Sequence, residues 1–409
     1  MFLKPVLVFL SLLSSITATH KNPLDIPQTI PCISIPYTTL KSCSSDNSTT
    51  SLLSEIKSAY GYSGLGILAI TGIPGLKEKR ETLLPLIARF ASLPDEIKKK
   101  TETPHAYYQV GWSCGNEKLV GDKLDFSKGS YYCNPLIDRP SNDIELIKLW
   151  PSFLEPNIWP EDIPEFEISF KECGRLMVDV GIMIAKECDE FIKSECESYK
   201  GCLESLIRES KCCKGRLLHY YPKDKDDNEN ENENKNKNKE KVKEKEKEND
   251  DPFSNWCGWH NDHGSLTSLL PPLYTNNNNE NIPCPDSEAG LYIRSRSGQL
   301  IKVKVPEEDG TVLYQIGECS QIMSGGILQA TPHAVRGVKN VGVSRQTFAV
   351  FMEPEYNGGM NLPEGKGIKD VQDGEAVKRL PGGIRRLEER WEEGVDFGEF
   401  SRRTFEAFY

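Results

Sequence analysis

The chain has 409 residues, 37% of them hydrophobic, and a formal net charge of −11 at neutral pH. That balance argues against a nucleic-acid surface, which needs a basic patch. Beyond the N-terminus no stretch is long and apolar enough to span a bilayer. The 13 cysteines include no Cys-x-x-Cys pair, so zinc-ribbon and thioredoxin readings lack support. They read mainly as small buried hydrophobes, with a disulfide among Cys196, Cys202, Cys212 and Cys213 as the alternative.

Lys4, the apolar run Val6 to Leu13 and small residues near Ala18 read as a secretory signal peptide over residues 1–19. Asn47-Ser48-Thr49 is a glycosylation sequon that matters only in the secretory pathway. Ile30 to Ile35 alternates like a short strand, Ser51 to Gly61 has the apolar stripe of a helix, and Gly66 to Thr71 reads as a strand. Glu78 to Ser92 carries Leu83, Leu86, Ile87 and Phe90 at helical spacing, and the basic run Lys98 to Lys100 is a solvated helix end. The aromatic segment Asp125 to Tyr132 offers Tyr131 and Tyr132 as candidates for a pocket wall. From Pro164 a long helix is expected, with Phe166, Phe170, Cys173, Met177, Val180, Ile184 and Phe191 on its buried face.

Lys223 to Asp250 is of low complexity: 27 of its 28 residues are Lys, Glu, Asp or Asn. Such a segment cannot bury enough apolar surface to offset its ordering entropy and reads as a disordered loop insertion. A second insertion covers Asn276 to Asn281, after a strand Ser265 to Leu270. Short strands are then expected at Gly290 to Ile293, Leu300 to Val305, Thr311 to Ile316, Gly326 to Thr331 and Gln346 to Phe351. This spacing suggests a sandwich or jelly roll. In the charged tail, Arg379 to Trp391 reads as a helix over the barrel.

The chemistry concentrates in Trp256 to Thr267, around His260-Asn261-Asp262. In an extended segment residues two apart share a side, so the imidazole and the carboxylate aim at one point. Two His and one carboxylate make the facial triad that holds non-haem Fe(II). Of the remaining histidines (His20, His105, His219, His263 and His333), His333 is the best third ligand: it follows Pro332 at the expected rim of a strand, between apolar residues. His263 would face away from Asp262. Further on, Arg345 and Thr347 share a strand face, and a guanidinium beside a hydroxyl suits a carboxylate.

His260-x-Asp262, His333 and Arg345-x-Thr347, in that order, resemble the His-x-Asp, distant His and Arg-x-Ser pattern of the isopenicillin-N-synthase-like 2-oxoglutarate/Fe(II)-dependent dioxygenases. Thr347 stands for the family's Ser. Arg216-Leu-Leu-His-Tyr-Tyr-Pro222 is similar to the family's Arg-Leu-Asn-Tyr-Tyr-Pro, and its second Tyr maps onto Tyr221, with His219 for the Asn. The opening strand before Gly72-Ile-Pro74 is also similar, without the family's Asn-His pair, and so is Asn157-Ile-Trp-Pro160. The resemblance covers Ile30 to Pro354.

It implies an α+β fold, mainly β with flanking helices, around a double-stranded β-helix (jelly-roll, cupin-like) core. It also implies Fe(II) on His260, Asp262 and His333, and 2-oxoglutarate as co-substrate, its far carboxylate on Arg345, Thr347 and Tyr221. O2 is the oxidant and ascorbate a reductant. The substrate, a small organic molecule, is hydroxylated or otherwise oxidised with release of succinate and CO2. The expected organisation is an N-terminal helical and strand region (26–200), an Fe(II)/2-oxoglutarate region (212–354) containing the insertion 223–250, and a C-terminal tail (355–409). The expected partners are a small-molecule substrate only, with no nucleic acid, no membrane span and a monomeric state. Localisation stays open between the secretory pathway and the cytoplasm, where members of this family mostly occur. Two other functions stay open: an oxidase of the same fold without 2-oxoglutarate, and a non-catalytic binding or sensing protein.

Overall fold

The computed structural model describes residues 26–44, 51–117, 124–223 and 256–406. The signal-peptide reading, the sequon and all but the first residue of the acidic–basic insertion lie outside them. Fifteen strands occur among the described residues: β1 (Gln28–Pro31), β2 (Ile33–Pro36), β3 (Ile67–Thr71), β4 (Gly111–Cys114), β5 (Lys128–Cys133), β6 (Lys214–Tyr220), β7 (Cys257–His260), β8 (Leu266–Leu269), β9 (Leu273–Thr275), β10 (Asn281–Ile282), β11 (Gly290–Arg294), β12 (Leu300–Lys304), β13 (Val312–Ile316), β14 (His333–Arg336) and β15 (Ser344–Met352).

They form two sheets. One has the order β1-β12-β11-β14-β7. The other, ten-stranded, runs β2-β3-β13-β8-β15-β6-β5-β4, with β9 paired to β15 and β10 to β9. The segment read as one strand, Ile30 to Ile35, is two: the chain leaves β12 after Pro31 and joins β3 at Ile33, so it crosses between sheets at Cys32. Strands from the N-terminal region thus complete the sheets of the region that follows.

The period-two alternation of the strands sorts their side chains into two layers. Ile67, Ala69 and Leu313 of the large sheet meet Leu291, Ile293 and Val303 of the small one between the sheets. The opposite face of the large sheet presents Leu68, Ile70, Tyr314, Leu217, Phe348 and Val350 to the helices. Those helices are Leu76–Ala91 and the 31-residue Glu165–Glu195. All seven apolar positions expected on the long helix are buried. The result is an α+β arrangement, rich in sheet, with flanking helices.

Three local expectations are corrected. Gly326 to Thr331 is not a strand. The chain there leaves a short helix, Glu318–Met323, through Gly325 and Gly326, both at positive φ (63° and 81°). Side chains satisfy its backbone instead of a ladder: Leu328 N–H donates to Ser324 Oγ and Ala330 N–H to Gln321 Oε1. Arg379 to Trp391 is not a continuous helix, because Pro381-Gly382-Gly383, with Gly383 at φ 90°, interrupts it. The tail's longest helix is Phe397–Phe405, capped by the Asp396 side chain on the Glu399 N–H. Tyr131 is no pocket wall: it is fully buried among Phe90 and Phe166 on the helix side, with its hydroxyl on the Ile158 carbonyl. All 13 cysteines are free thiols, nine of them buried, so the alternative of a disulfide falls. Among the described residues no helix is long and apolar enough to cross a membrane.

Candidate active site

β7 and β14 are antiparallel neighbours, with His260 opposite His333. Cross-strand partners share a sheet face, and the two rings lie 4.2 Å apart. Asp262 follows two residues after His260, as the chain leaves the strand. One ligand atom from each of His260, Asp262 and His333 falls within 4.8 Å of the others. The carboxylate straddles the pair: Oδ1 is 3.8 Å from His260 Nε2 and Oδ2 is 3.8 Å from His333 Nε2. Neither is a hydrogen bond, and Oδ2 is buried with no partner.

Both imidazoles are oriented from behind. His260 Nδ1 is 2.8 Å from the Gly258 carbonyl, and His333 Nδ1 is 3.1 Å from the Thr331 carbonyl. A carbonyl can only accept, so Nδ1 of each ring carries a proton and each Nε2 is turned toward the carboxylate. Burial, together with the neighbouring His260, pulls the His333 pKa down to about 4, which keeps it neutral. Burial also works against charge on His260, but the Cys257 thiolate and Asp262 outweigh it and lift its pKa to about 10, so its Nε2 carries a proton that a bound metal ion would displace.

The loop carrying the carboxylate is fixed by the helix that follows β13. Glu318 N–H donates to the Asp262 carbonyl (2.8 Å) and Gly317 N–H to the Ser265 carbonyl (3.0 Å). A Cβ on Gly317 would stand 2.0 Å from the Gly264 carbonyl oxygen, so only glycine permits this approach. The Glu318 side chain accepts from Asn261 Nδ2 (3.0 Å) and from Arg390 Nη2 (2.8 Å), and Arg390 Nη1 donates to Thr404 Oγ1 (2.9 Å). The tail is thereby tied to the residue between the two neighbouring ligands. No motif announced Glu318 or Arg390. Their signal is a buried charge, visible only once the tail is seen to fold back.

Arg345 is buried on the inner face of β15. Its guanidinium lies over the rings of Tyr220 (5.0 Å) and Trp256 (5.6 Å). Nη1 has no hydrogen-bond partner, and among the described residues no carboxylate pairs with it. Thr347, on the same strand face, donates its hydroxyl to the Leu270 carbonyl (2.9 Å). The expectation for Tyr221 is corrected. In the β15–β6 register Arg345 stands opposite Tyr220. Tyr221 packs on the other face, against the helix-side core, and its ring meets His219 edge-on at 4.8 Å. The chain's Arg-Leu-Leu-His-Tyr-Tyr-Pro is one residue longer than the family's motif. Counted back from Pro222 the second Tyr is Tyr221, but counted from Arg216 the equivalent place is Tyr220, and alternation from Arg216 keeps Tyr220 on the inner face. His219 is likewise outward, on Gln346 Nε2 (3.2 Å), and burial lowers its pKa to about 4. His263 lies outside the cluster, as expected: it stacks on Phe397 and approaches Glu353 (3.6 Å).

The inner face of β5 and β6 adds charges that no motif predicted. Lys128 Nζ pairs with Glu117 (3.0 Å) and Asp125 (2.5 Å), and Arg216 pairs with Glu117 while its guanidinium covers Tyr132. Burial would raise the Glu117 pKa, but Arg216 and Lys128 outweigh it and hold it at about 2. Tyr132, one of the two expected wall residues, does face inward and bonds Glu117.

Two sheets that carry a two-His, one-carboxylate cluster, with an inner-face arginine that no carboxylate among the described residues pairs, define the architecture of a non-haem metal oxygenase. The chain belongs to the 2-oxoglutarate/Fe(II)-dependent dioxygenase superfamily: residues 30–162 match the model of the non-haem dioxygenase in morphine synthesis N-terminal region, and residues 213–354 that of the 2OG-Fe(II) oxygenase superfamily. A “probable iron/ascorbate oxidoreductase” of Dictyostelium discoideum is 29% identical over 117 residues, a match that takes in 28% of this chain and 26% of that relative. Among solved structures, a full-length Neurospora crassa protein in complex with alpha-KG is similar over 91% of this chain and 94% of its own, at 20% identity and a TM-score of 0.56. The rice dioxygenase for auxin oxidation is similar over 92% and 95%, at 16% identity and a TM-score of 0.50. These likenesses are of fold.

Proposed function

We propose that this protein is an Fe(II)- and 2-oxoglutarate-dependent oxygenase that oxidises a small organic substrate, acting as a monomer, with release of succinate and CO2. The observation that carries the reading is a pair of orphaned buried groups in one fold: Asp262 Oδ2 beside two imidazoles, and Arg345 Nη1, which no carboxylate among the described residues meets. Both deficits are those the two missing groups would fill. Two imidazoles and a carboxylate suit a borderline cation such as Fe(II) and leave positions open. A guanidinium held between two rings suits the far carboxylate of 2-oxoglutarate.

In this reading the two sheets are the walls of a double-stranded β-helix. His260, Asp262 and His333 would hold the metal, and the Gly258 and Thr331 carbonyls orient both rings through Nδ1 so that each Nε2 is aimed at it. Arg345 anchors the co-substrate, with Thr347 beside it and Tyr220 in the role first expected of Tyr221. Bound iron supplies the activation of O2 that couples decarboxylation of 2-oxoglutarate to substrate oxidation. The residues around it supply position and exclude water. An Arg345 with no carboxylate of its own speaks against an oxidase that dispenses with 2-oxoglutarate.

The test is succinate formation from 2-oxoglutarate with Fe(II), O2 and ascorbate, against protein carrying His333→Ala. Succinate that requires Fe(II) and vanishes in the variant is the expected result. Iron loading without any succinate would remove the oxygenase reading.

A further inference from the structure

A cleft opens beside the metal cluster, bounded by Asn261, next to two of the ligands, and by Pro332, next to the third. It holds about 550 Å3, part of it open to solvent. A second hollow of about 310 Å3, lined by His260 itself, shares Asn261, Glu318 and Arg385 with it, so the two adjoin. The cleft's remaining walls are rich in arginine: Arg294 and Arg296 at the end of β11, and Arg379 and Arg385 from the tail.

Its acids balance them only in part. Glu318 is taken by Arg390 and Asn261. Asp373 accepts from the Tyr62 hydroxyl and the Glu375 N–H, and its single charge is shared by Arg296 and Arg379. Arg296 bonds the Gln329 side chain and the Ala330 carbonyl and lies over the Tyr62 ring at 5.5 Å. Among the described residues no carboxylate lies within ion-pair distance of it, and burial pulls its pKa down to about 10. Arg379 donates to the Arg296 carbonyl (3.1 Å), and the nearest carboxylate to Arg385 is Glu389 at 4.0 Å. The contrast with the inner wall is plain, where Lys128 and Arg216 are matched by Glu117 and Asp125. An excess of arginine over carboxylate at one opening of a chain whose net charge is −11 marks a place for an anion.

We propose that this cleft binds a carboxylate on the substrate, which makes the substrate a small organic acid held by Arg296, Arg379 and Arg385 with its reacting carbon toward His260. The proposal rests on the oxygenase reading above. Planar guanidinium forks match the two oxygens of a carboxylate.

The test uses the full chain and a broad set of arylacetic and alkanoic acids, each beside its methyl ester, which is of similar shape but neutral. Binding is measured by titration calorimetry, with and without Mn(II) and saturating 2-oxoglutarate. Mn(II) stands in for iron so that nothing turns over, and saturation keeps Arg345 occupied. At least one acid is expected to bind about 10-fold tighter than its ester, or more, a difference of ~1.4 kcal/mol. The double variant Arg379→Gln/Arg385→Gln, at two exposed side chains, should bring acid and ester within about 2-fold of each other. Equal binding of every acid and its ester, binding of neither, or a preference that survives the double variant would overturn the proposal. A failure of Mn(II) to bind, with the acid preference intact, would instead count against the metal-site reading alone.

Discussion

Arg345 and Tyr220 meet through strand register, which sets up a comparison of four single changes. Removing one partner of a buried, charge-assisted pair costs on the order of 2–5 kcal/mol. Arg345→Leu should therefore raise the 2-oxoglutarate concentration for half-maximal succinate formation by more than about 30-fold. Arg345→Lys keeps the charge, loses the fork and falls between. Tyr220→Phe should raise it several-fold, while Tyr221→Phe leaves it near the parent, because its ring is on the helix side. Sensitivity at Tyr221 and none at Tyr220 would reverse the assignment. His219 makes a stability prediction. Its folded pKa of about 4 lies below the ordinary 6.5, because burial disfavours the charge. Between those values the unfolded chain takes up a proton that the folded one refuses, so stability falls as pH drops from 6.5 toward 4, by about 1.4 kcal/mol per unit at most. His219→Asn should flatten that part of the denaturation-midpoint profile, and an unchanged slope would refute it. At this scale the sequence was informative wherever residue type and spacing carried the chemistry. The placing of His260, Asp262 and His333 was readable from a two-residue separation on an extended segment and from a rim position for His333, although the strand that His333 begins was not itself expected. Tyr221 was not, because one extra residue in the motif changes the face and only the register with β15 decides which end of the motif sets the count.

The elements that hold the cluster were much less legible. The Glu318–Met323 helix is six residues long, and all six are buried, so it presents no amphipathic stripe to read. Its N-terminus nevertheless fixes Asp262 through the backbone, and its Glu318 forms a buried ion pair with Arg390, each side chain under 5% exposed. Breaking such a pair from one side costs about 3–5 kcal/mol, because the other charge is left buried alone. Arg390→Met should lower the unfolding free energy by that order and weaken Fe(II) binding, since Glu318 also holds Asn261 between the ligands. The double change Glu318→Gln/Arg390→Met should regain most of the stability. If Arg390→Met melts with the parent and binds Fe(II) equally, the tail does not support the site. The helix expected over Arg379 to Trp391 overlooked its breakers. Pro381-Gly382-Gly383 interrupts it, and the break turns Arg379 and Arg385 toward the cleft instead of along a helix.

At the scale of the whole molecule, the architecture was readable in outline because short, evenly spaced strands and one long amphipathic helix survive any uncertainty about their partners. The crossing at Cys32, which ties the first strand to one sheet and the second to the other, was not, since Ile30 to Ile35 is too short a run for the shift of phase between Cys32 and Ile33 to stand out, and only the pairing divides it. The same logic bears on the insertion. β6 ends at Tyr220 in the large sheet and β7 begins at Cys257 in the small one, so the connection between them passes from one sheet to the other. It is held at its start, where Gly342 N–H donates to the Lys223 carbonyl. Of residues 224–250 all but Val242 are Lys, Glu, Asp or Asn. They bring almost no apolar surface to bury, and each doubling of loop length costs only about 0.6 kcal/mol in closure. Replacing 224–250 by a short Gly/Ser linker, with Lys223 and Trp256 retained, should therefore leave Fe(II) binding and succinate formation within about 2-fold of the parent and the melting temperature unchanged or slightly raised. Trp256 must stay because it forms one of the two aromatic walls around Arg345. A collapse of folding on this deletion would mean that the segment packs on the molecule. A loss of turnover with the fold intact would mean that it reaches the site.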